Sequence, residues 1–143
     1  MTGPSRGFAA VLSLLLLPVA LAGCRPAGSP LKGTHWRLVG WTLSSLDPAD
    51  FTITAQFADG QVTGNAGVNA YGGPYTLGPG AVFSVGQLAA TQMAGPEPAM
   101  RAESAYLTLL GQAASYRLAE GRLTLHDKGG NESLIFEVLR RQP

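Results

Sequence analysis

The sequence predicts a mainly β domain, of barrel or sandwich type, with a single α-helix. Short runs of alternating apolar and polar residues recur from residue 33 onwards, and turn-forming residues separate them. Eight or nine such strands at this spacing are typical of a barrel or a sandwich. One later segment has helical spacing instead. A lone amphipathic helix among strands is expected to cover an open face or end of the sheet.

The clearest predicted strand covers residues 51–57. Phe51, Ile53 and Phe57 alternate there with polar residues, which is the pattern of a half-buried antiparallel strand. The Asp59-Gly60 pair that follows is a hairpin signal, so Gln61–Asn65 is the predicted return strand. Further strands are predicted at residues 34–42, 70–77, 81–85, 87–92, 116–119, 122–126 and 133–139.

The predicted helix covers residues 96–113. Its apolar residues repeat every three or four positions, and Pro96 and Pro98 stand in the first turn, where a missing N–H is tolerated. The apolar positions are Ala99, Ala102, Tyr106, Leu109, Leu110 and Ala113.

The first 23 residues are predicted to be a signal peptide. Arg6 precedes an apolar run at residues 8–21, which is shorter than the roughly 20 residues of a membrane-spanning helix. Leu-Ala-Gly-Cys at residues 21–24 resembles the lipobox of bacterial lipoproteins, whose cysteine becomes the lipidated first residue. The alternatives are an uncleaved anchor and an ordinary signal peptide with an incidental cysteine.

These features divide the chain into a lipoprotein signal peptide (1–23), a lipidated cysteine with a flexible linker (24–32) and a folded domain (33–143). Cys24 is the lipid attachment residue, and its expected partner is the lipid bilayer. The expected location is the bacterial cell envelope, and the outer membrane in a diderm, because Arg25 and not Asp follows the cysteine.

The composition of the mature chain excludes several classes of function. Without Arg6 it has nine basic and nine acidic residues. The sequence has no basic patch of the kind that binds nucleic acid, so a nucleic-acid partner is not expected. Once Cys24 is lipidated, no thiol remains for a disulfide, a metal site or nucleophilic chemistry. We expect a monomer without cofactor or metal.

A glycine-rich segment at residues 63–75 is the most distinctive motif. It does not lead from a strand into a helix and has no lysine, so it does not match a phosphate-binding loop. Glycines between strands mark bulges, corners or close backbone approach, although a ligand site is the open alternative. The candidate residues are Gly64, Asn65, Gly67, Asn69, Tyr71, Gly73 and Tyr75.

This segment, together with residues 88–100, resembles the two central blocks of the META domain. Thr91 and Met93 belong to the second block, and residues 33–39 and 121–136 fit the opening and close of the family pattern. The resemblance implies an antiparallel, incompletely closed barrel of about eight strands with one packed α-helix. Domains of this shape resemble secretion pilot lipoproteins, which hold acyl chains or peptide tails.

Two departures from the family carry a structural prediction. Family members commonly have cysteines where this chain has Val68 and Gly95. Their paired absence implies that these positions are neighbours, close enough for the Cα separation of a disulfide, which is below about 7 Å.

No catalytic set is evident. His126-Asp127 could in principle meet Ser84 or Ser133, but no nucleophile elbow is present and sequence adjacency does not build a triad. His35 lies in a predicted strand, and the acidic residues are expected in turns, at solvent faces and at helix ends. The predicted function is a non-enzymatic envelope lipoprotein with a binding, maintenance or stress role. The alternative is a carrier of an acyl chain or apolar peptide, and a hydrolase ranks third.

Overall fold

A computed structural model describes residues 1–3, 28–42 and 45–139. Cys24 and the predicted lipobox lie outside the described residues. Among the described residues, no helix is both long enough and apolar enough to cross a membrane.

The described chain forms nine strands and one α-helix. Eight strands make a closed ring in the order β3-β2-β1-β9-β8-β7-β5-β4, because β4 also pairs with β3, and β6 adds to the edge of β4. All neighbours are antiparallel. The elements are β1 Thr34–Trp41, β2 Thr54–Ala58, β3 Gln61–Asn65, β4 Ala70–Gly78, β5 Val82–Val85, β6 Ala89–Ala90, α1 Glu97–Gln112, β7 Ser115–Ala119, β8 Arg122–His126 and β9 Glu132–Val138.

The mainly β barrel with one helix is thus confirmed, and the ring closes. Its weakest junction joins β5 to β7, where Val82 pairs with Ser115. Backbone hydrogen bonds of 3.0 Å flank that pair, from Phe83 N–H to Ala114 O and from Tyr116 N–H to Ala81 O. The barrel is therefore closed, whereas the family resemblance implies an incompletely closed one, and the junction of β5 with β7 is the shortest pairing in the ring.

The second strand begins at Thr54, later than the alternation predicted. Pro48–Asp50 form a 3₁₀ turn, and the carboxylate of Asp47 caps it by accepting the N–H of Ala49 at 2.9 Å. Ile53 makes only an isolated bridge to Ala66. The fixed φ of Pro48 favours this turn, which delays the strand.

The barrel interior is filled by inward-facing aromatic and aliphatic side chains. The ring of Tyr106, from α1, packs edge-to-face against the rings of Tyr71 in β4 and Phe136 in β9, with centroid separations of 5.4 Å and 6.3 Å. Three strands separate β4 from β9 in either direction around the ring, so these two rings lie on opposite walls. Tyr106 therefore occupies the space between the walls, and α1 covers that end of the barrel.

The two ends of the barrel differ in what closes them. The helix end contains α1, Trp41, the start of β2 and the Asp127–Asn131 turn. The terminal end contains residues 28–33, the hairpin at Asp59-Gly60, the hairpin at Glu120-Gly121 and Leu139.

The last residues of the predicted linker take part in the fold at the terminal end. Leu31 is 0% exposed and belongs to the core, and Gly33 N–H donates to Phe57 O at 2.7 Å. The packed domain therefore begins before residue 33.

Candidate functional site: the Asn69 junction

Asn69 joins three segments that are distant in sequence. Its side chain is 2% exposed, and its Nδ2 donates to Glu103 Oε1 at 2.8 Å and to Met93 O at 3.1 Å. Its Oδ1 accepts the Thr91 hydroxyl at 2.8 Å and the Met93 N–H at 2.7 Å. All four hydrogen-bonding positions of the amide are therefore used. We call Asn69, Thr91, Met93 and Glu103 the Asn69 junction.

Glu103 supplies the helix side of the junction. Its Oε2 accepts the backbone N–H groups of Asn69 at 2.6 Å and Val68 at 3.2 Å, and the residue is 7% exposed. With the Asn69 amide this makes three N–H donors, which suits an ionised carboxylate that only accepts.

The expectation that the acidic residues lie in turns, at solvent faces or at helix ends is wrong for Glu103. Its place in the sequence carries a usable signal, since Glu103 follows Ala99 by four residues and precedes Tyr106 by three. It therefore stands on the apolar stripe of the predicted helix, where an acid must have buried partners.

A pair of buried tyrosines continues the contact between α1 and the barrel. The hydroxyl oxygens of Tyr71 and Tyr106 are 2.6 Å apart, and Tyr71 donates to Thr54 O at 2.9 Å, so Tyr106 donates to Tyr71. Burial raises the pKa of both phenols above the ordinary value, and for Tyr71 the hydrogen bond from Tyr106 acts in the opposite direction. Both phenols are therefore neutral groups of the core at ordinary pH.

Two glycines of the motif stand where a side chain would clash with backbone or strain it. A Cβ at Gly64 would overlap the carbonyl oxygen of Thr54, on the neighbouring chain segment. Gly67 has a φ of +124°, and the side chain of Asn65 accepts its N–H at 2.8 Å to close the turn.

Gly73 and Tyr75 lie further along β4 and do not join the Asn69 junction. A Cβ at Gly73 would come within 2.7 Å of Gln87 O. The ring of Tyr75 packs against Phe57 at 5.0 Å, and its hydroxyl lies 3.2 Å from that of Ser29. The motif therefore contributes Asn69 to the junction and Tyr75 to the terminal end.

The predicted proximity of Val68 and Gly95 is confirmed. A Cβ placed on Gly95 would lie 3.4 Å from the Cβ of Val68. Disulfides typically have Cβ separations of about 3.5–4.5 Å. This chain fills the space with the valine methyl groups instead of a covalent bond.

A surface cleft of about 470 Å³ opens beside the junction. Its apolar lining includes Met93, which is 58% exposed, together with Met100 and Leu107. Since the amide of Asn69 and the carboxylate of Glu103 are already engaged, the cleft offers a ligand these apolar side chains together with the polar side chains of Gln92 and Ser104.

The hydroxyl groups considered for a hydrolase have structural partners. Ser133 donates to Leu125 O at 3.1 Å, and Ser84 shares a 2.7 Å hydrogen bond with Thr76. The Asp127 carboxylate accepts the side-chain and backbone N–H groups of Asn131 and the N–H of Gly129, and these bonds lower its pKa.

These groups therefore do not form the imagined triad. Within the described ranges, no cluster of three or more His, Cys, Asp or Glu residues could hold a metal ion.

Comparison with protein families matches residues 29–138 to the META domain. The fold is similar to an NMR structure of a protein from Burkholderia xenovorans, with a TM-score of 0.65 and 28% identity over 78% of this chain and 85% of that one. It is also similar to a crystal structure of a DUF4847 family protein from Bacteroides vulgatus, with a TM-score of 0.57 and 14% identity over 79% of this chain and 97% of the other. No curated protein matches the chain.

Proposed function

Because the chain belongs to the META domain family and carries a lipobox-like sequence ahead of that domain, we propose that it is a non-enzymatic lipoprotein of the bacterial envelope. Cys24 holds the protein to the bilayer, in the outer membrane of a diderm host. The monomeric domain serves there as a binding or maintenance module, with a role in envelope integrity or stress tolerance.

The observation that carries the proposal is the position of the single cysteine. Cys24 closely follows an apolar run of signal-peptide length and precedes Leu31, the first fully buried residue that the structure describes, by only seven positions. Two or three acyl chains hold a protein on a membrane stably, whereas one chain holds it only marginally.

The Asn69 junction supports a structural use of the family motif. The hydrogen bonds of Asn69 and Glu103 hold α1 and residues 91–93 against the turn before β4. A rigid surface of this kind is suited to recognition by shape.

The filled barrel argues against the alternative of a carrier that holds an acyl chain inside. Tyr106 closes the helix end of the lumen and Leu31 closes the terminal end, and both are 0% exposed. An apolar partner has better access to the cleft beside Met93. Native mass spectrometry of protein from its host gives the check, because a co-purifying lipid would restore the carrier alternative.

The test of the proposal is processing of the full chain in a bacterial host. Globomycin, which inhibits the lipoprotein signal peptidase, should cause the precursor to accumulate, and Cys24→Ala should abolish acylation and membrane retention. Ser29→Ala is a matched control in the same segment and should leave both unchanged. Normal processing and retention of Cys24→Ala would refute the lipoprotein assignment.

A further inference from the structure

We infer that the free edge of β6 and the neighbouring side of α1 form a docking groove for an extended, uncharged peptide segment of another protein. The peptide adds as a strand beside β6 and occupies the cleft next to the Asn69 junction. This inference rests on the proposed role as a binding module, and it specifies the chemistry of the partner.

The first argument is a set of backbone groups that the fold leaves unpaired. Ala90 pairs with Tyr71, and the next residue along the chain donates its N–H to Ala70 O at 3.0 Å. Ala90 therefore occupies a non-hydrogen-bonded position of the ladder, and its own N–H and C=O point away from β4. Among the described strands, β4 is the only partner of β6, so these two groups belong to an open edge.

The same alternation continues beyond β6. Met93 N–H donates to the Asn69 side chain at 2.7 Å, so the backbone of this residue is turned toward the barrel, like that of Thr91. Gln92 lies between the two, and its N–H and C=O have no hydrogen-bond partner among the described residues. Ala90 and Gln92 thus present backbone donors and acceptors two residues apart, which is the spacing an added antiparallel strand requires.

The second argument is the composition of this edge. Residues 89–94 are Ala-Ala-Thr-Gln-Met-Ala, and they include neither a charged residue nor a proline. Exposed sheet edges are usually protected from pairing by charges, prolines, bulges or short length. Although β6 is short, the unpaired groups continue past its end to Gln92, so the edge remains able to accept a strand.

The third argument is the wall that α1 contributes. Met100, Ser104 and Leu107 follow one another at spacings of four and three residues, so they share one side of the helix. They line the same cleft as residues 90–94, and the cleft of about 470 Å³ therefore lies between the strand edge and the helix. Several peptide-recognition domains bind an extended peptide along an open sheet edge, with pockets for its alternate side chains.

An extended peptide matches this groove better than other occupants. Its backbone can pair with Ala90 and Gln92, whereas an acyl chain has no hydrogen-bonding groups. A second copy of the chain carries its own α1 beside β6, which keeps two such edges apart. Among the described lining residues, Glu103 is the only charged one, and its carboxylate is already engaged. The entering side chains are therefore neutral, and the flexible thioethers of Met93 and Met100 suit apolar ones.

The test selects a probe peptide and then examines how its backbone is bound. A phage-displayed library of random nine-residue peptides is panned against the mature chain with Cys24→Ser. The core extends from Leu31 to Phe136, so this chain contains the whole domain. The strongest binder is synthesised with blocked ends and is then remade with N-methyl groups on alternate residues, in each of the two phases.

We expect the selected peptide to have apolar residues at alternate positions. N-methylation in the phase that faces β6 should weaken binding at least tenfold more than N-methylation in the other phase. Amide hydrogen exchange of Ala90 and Gln92 should slow at least tenfold in the complex, because both N–H groups gain an acceptor.

Two matched pairs of variants locate the site. Gln92→Pro removes an edge donor that the fold does not use, and proline is tolerated at such a position. It should bind the peptide at least fivefold more weakly than Gln92→Ala, which keeps the donor. Ser104→Glu places a charge in the cleft and should weaken binding about tenfold, whereas Thr108→Glu, exposed on the same helix outside this cleft, should not.

Several outcomes would overturn the inference. Equal effects of the two N-methylation phases, or unchanged exchange of Ala90 and Gln92, would exclude strand addition. Slow exchange of these two amides in the concentrated protein without peptide would assign the edge to a second copy of the chain. Failure to select any binder would also refute the inference, and binding of decanoate beside Met93 would then assign the cleft to an acyl chain.

The result is separable from the lipoprotein proposal because the tested chain carries no lipid. If no peptide binds but Cys24→Ala abolishes acylation and membrane retention, only the docking groove fails. If the peptide binds as expected but Cys24→Ala is processed and retained normally, only the lipoprotein assignment fails.

Discussion

Replacing Glu103 by glutamine tests whether the Asn69 junction stabilises the fold. The substitution keeps the shape of the side chain and replaces one acceptor oxygen by an N–H₂ donor. If the remaining oxygen accepts the backbone N–H groups of Val68 and Asn69, the new donor faces Asn69 Nδ2, which also donates. Rotating the Asn69 amide does not help, because both contacts with Met93 would then be mismatched.

The expected loss follows from one buried mismatch. Leaving a buried donor without an acceptor costs about 1–3 kcal/mol, so we expect Glu103→Gln to lower the free energy of unfolding by about 2 kcal/mol. For a domain of about 110 residues, an unfolding entropy of about 2.1 cal/mol/K per residue converts this loss to a fall in Tm of roughly 9 °C.

The assay is thermal and urea unfolding of the unlipidated mature chain, with Cys24→Ser as background. The matched control is Glu97→Gln in the first turn of α1, since the Glu97 side chain is 83% exposed and its ion pair with Arg101 is 4.0 Å long. The control should lose about 0.5 kcal/mol or less. Equal losses in the two variants would show that the buried carboxylate makes no special contribution and would refute the reasoning.

The remaining predictions concern covalent, steric and titration effects. Val68→Cys with Gly95→Cys should form a disulfide that closes a loop of about 28 residues and stabilises the domain by up to about 3.5 kcal/mol, measured as a Tm difference with and without reductant; no oxidised product would contradict the geometry. In urea unfolding, Gly64→Ala should lose about 3 kcal/mol by overlap with backbone. Gly111→Ala, where a Cβ meets nothing, should gain about 0.5–1 kcal/mol, and equal responses would refute the steric argument. Because the folded pKa of Tyr106 is raised above 10.0, its stabilising contribution is complete below pH 10 and is lost as pH rises further. Its phenolate absorbance, identified by its loss in Tyr106→Phe, should therefore appear with unfolding, and ionisation near pH 10 in the folded protein would contradict this.

Local alternation was enough to predict most strands and the helix. The hairpin between β2 and β3 and the helix over residues 97–112 follow from turn residues and periodicity alone. Ring closure was less accessible, because the junction of β5 and β7 depends on a pairing between residues far apart in sequence. Single-sequence patterns contain little information about such pairings.

The candidate site was only partly accessible for a related reason. Asn69, Thr91 and Met93 belong to the family motif, but the hydrogen bonds that join them to one another, and Asn69 to Glu103, arise from tertiary packing. The carboxylate on the apolar stripe of α1 was the available clue. Tyr106 stood on the predicted apolar face, yet its role between opposite walls required the strand order.

The pairing of β1 with β9 determines when the domain can fold. Trp36 of the first strand pairs with Val138 of the last, so the ring cannot close until the last strand has been synthesised. Until then β1 has an unpaired edge, and the side chains around Leu38 lack part of their cover. Closure through such distant contacts is intrinsically slow, which prolongs the time during which a nascent chain can aggregate or be bound by a chaperone.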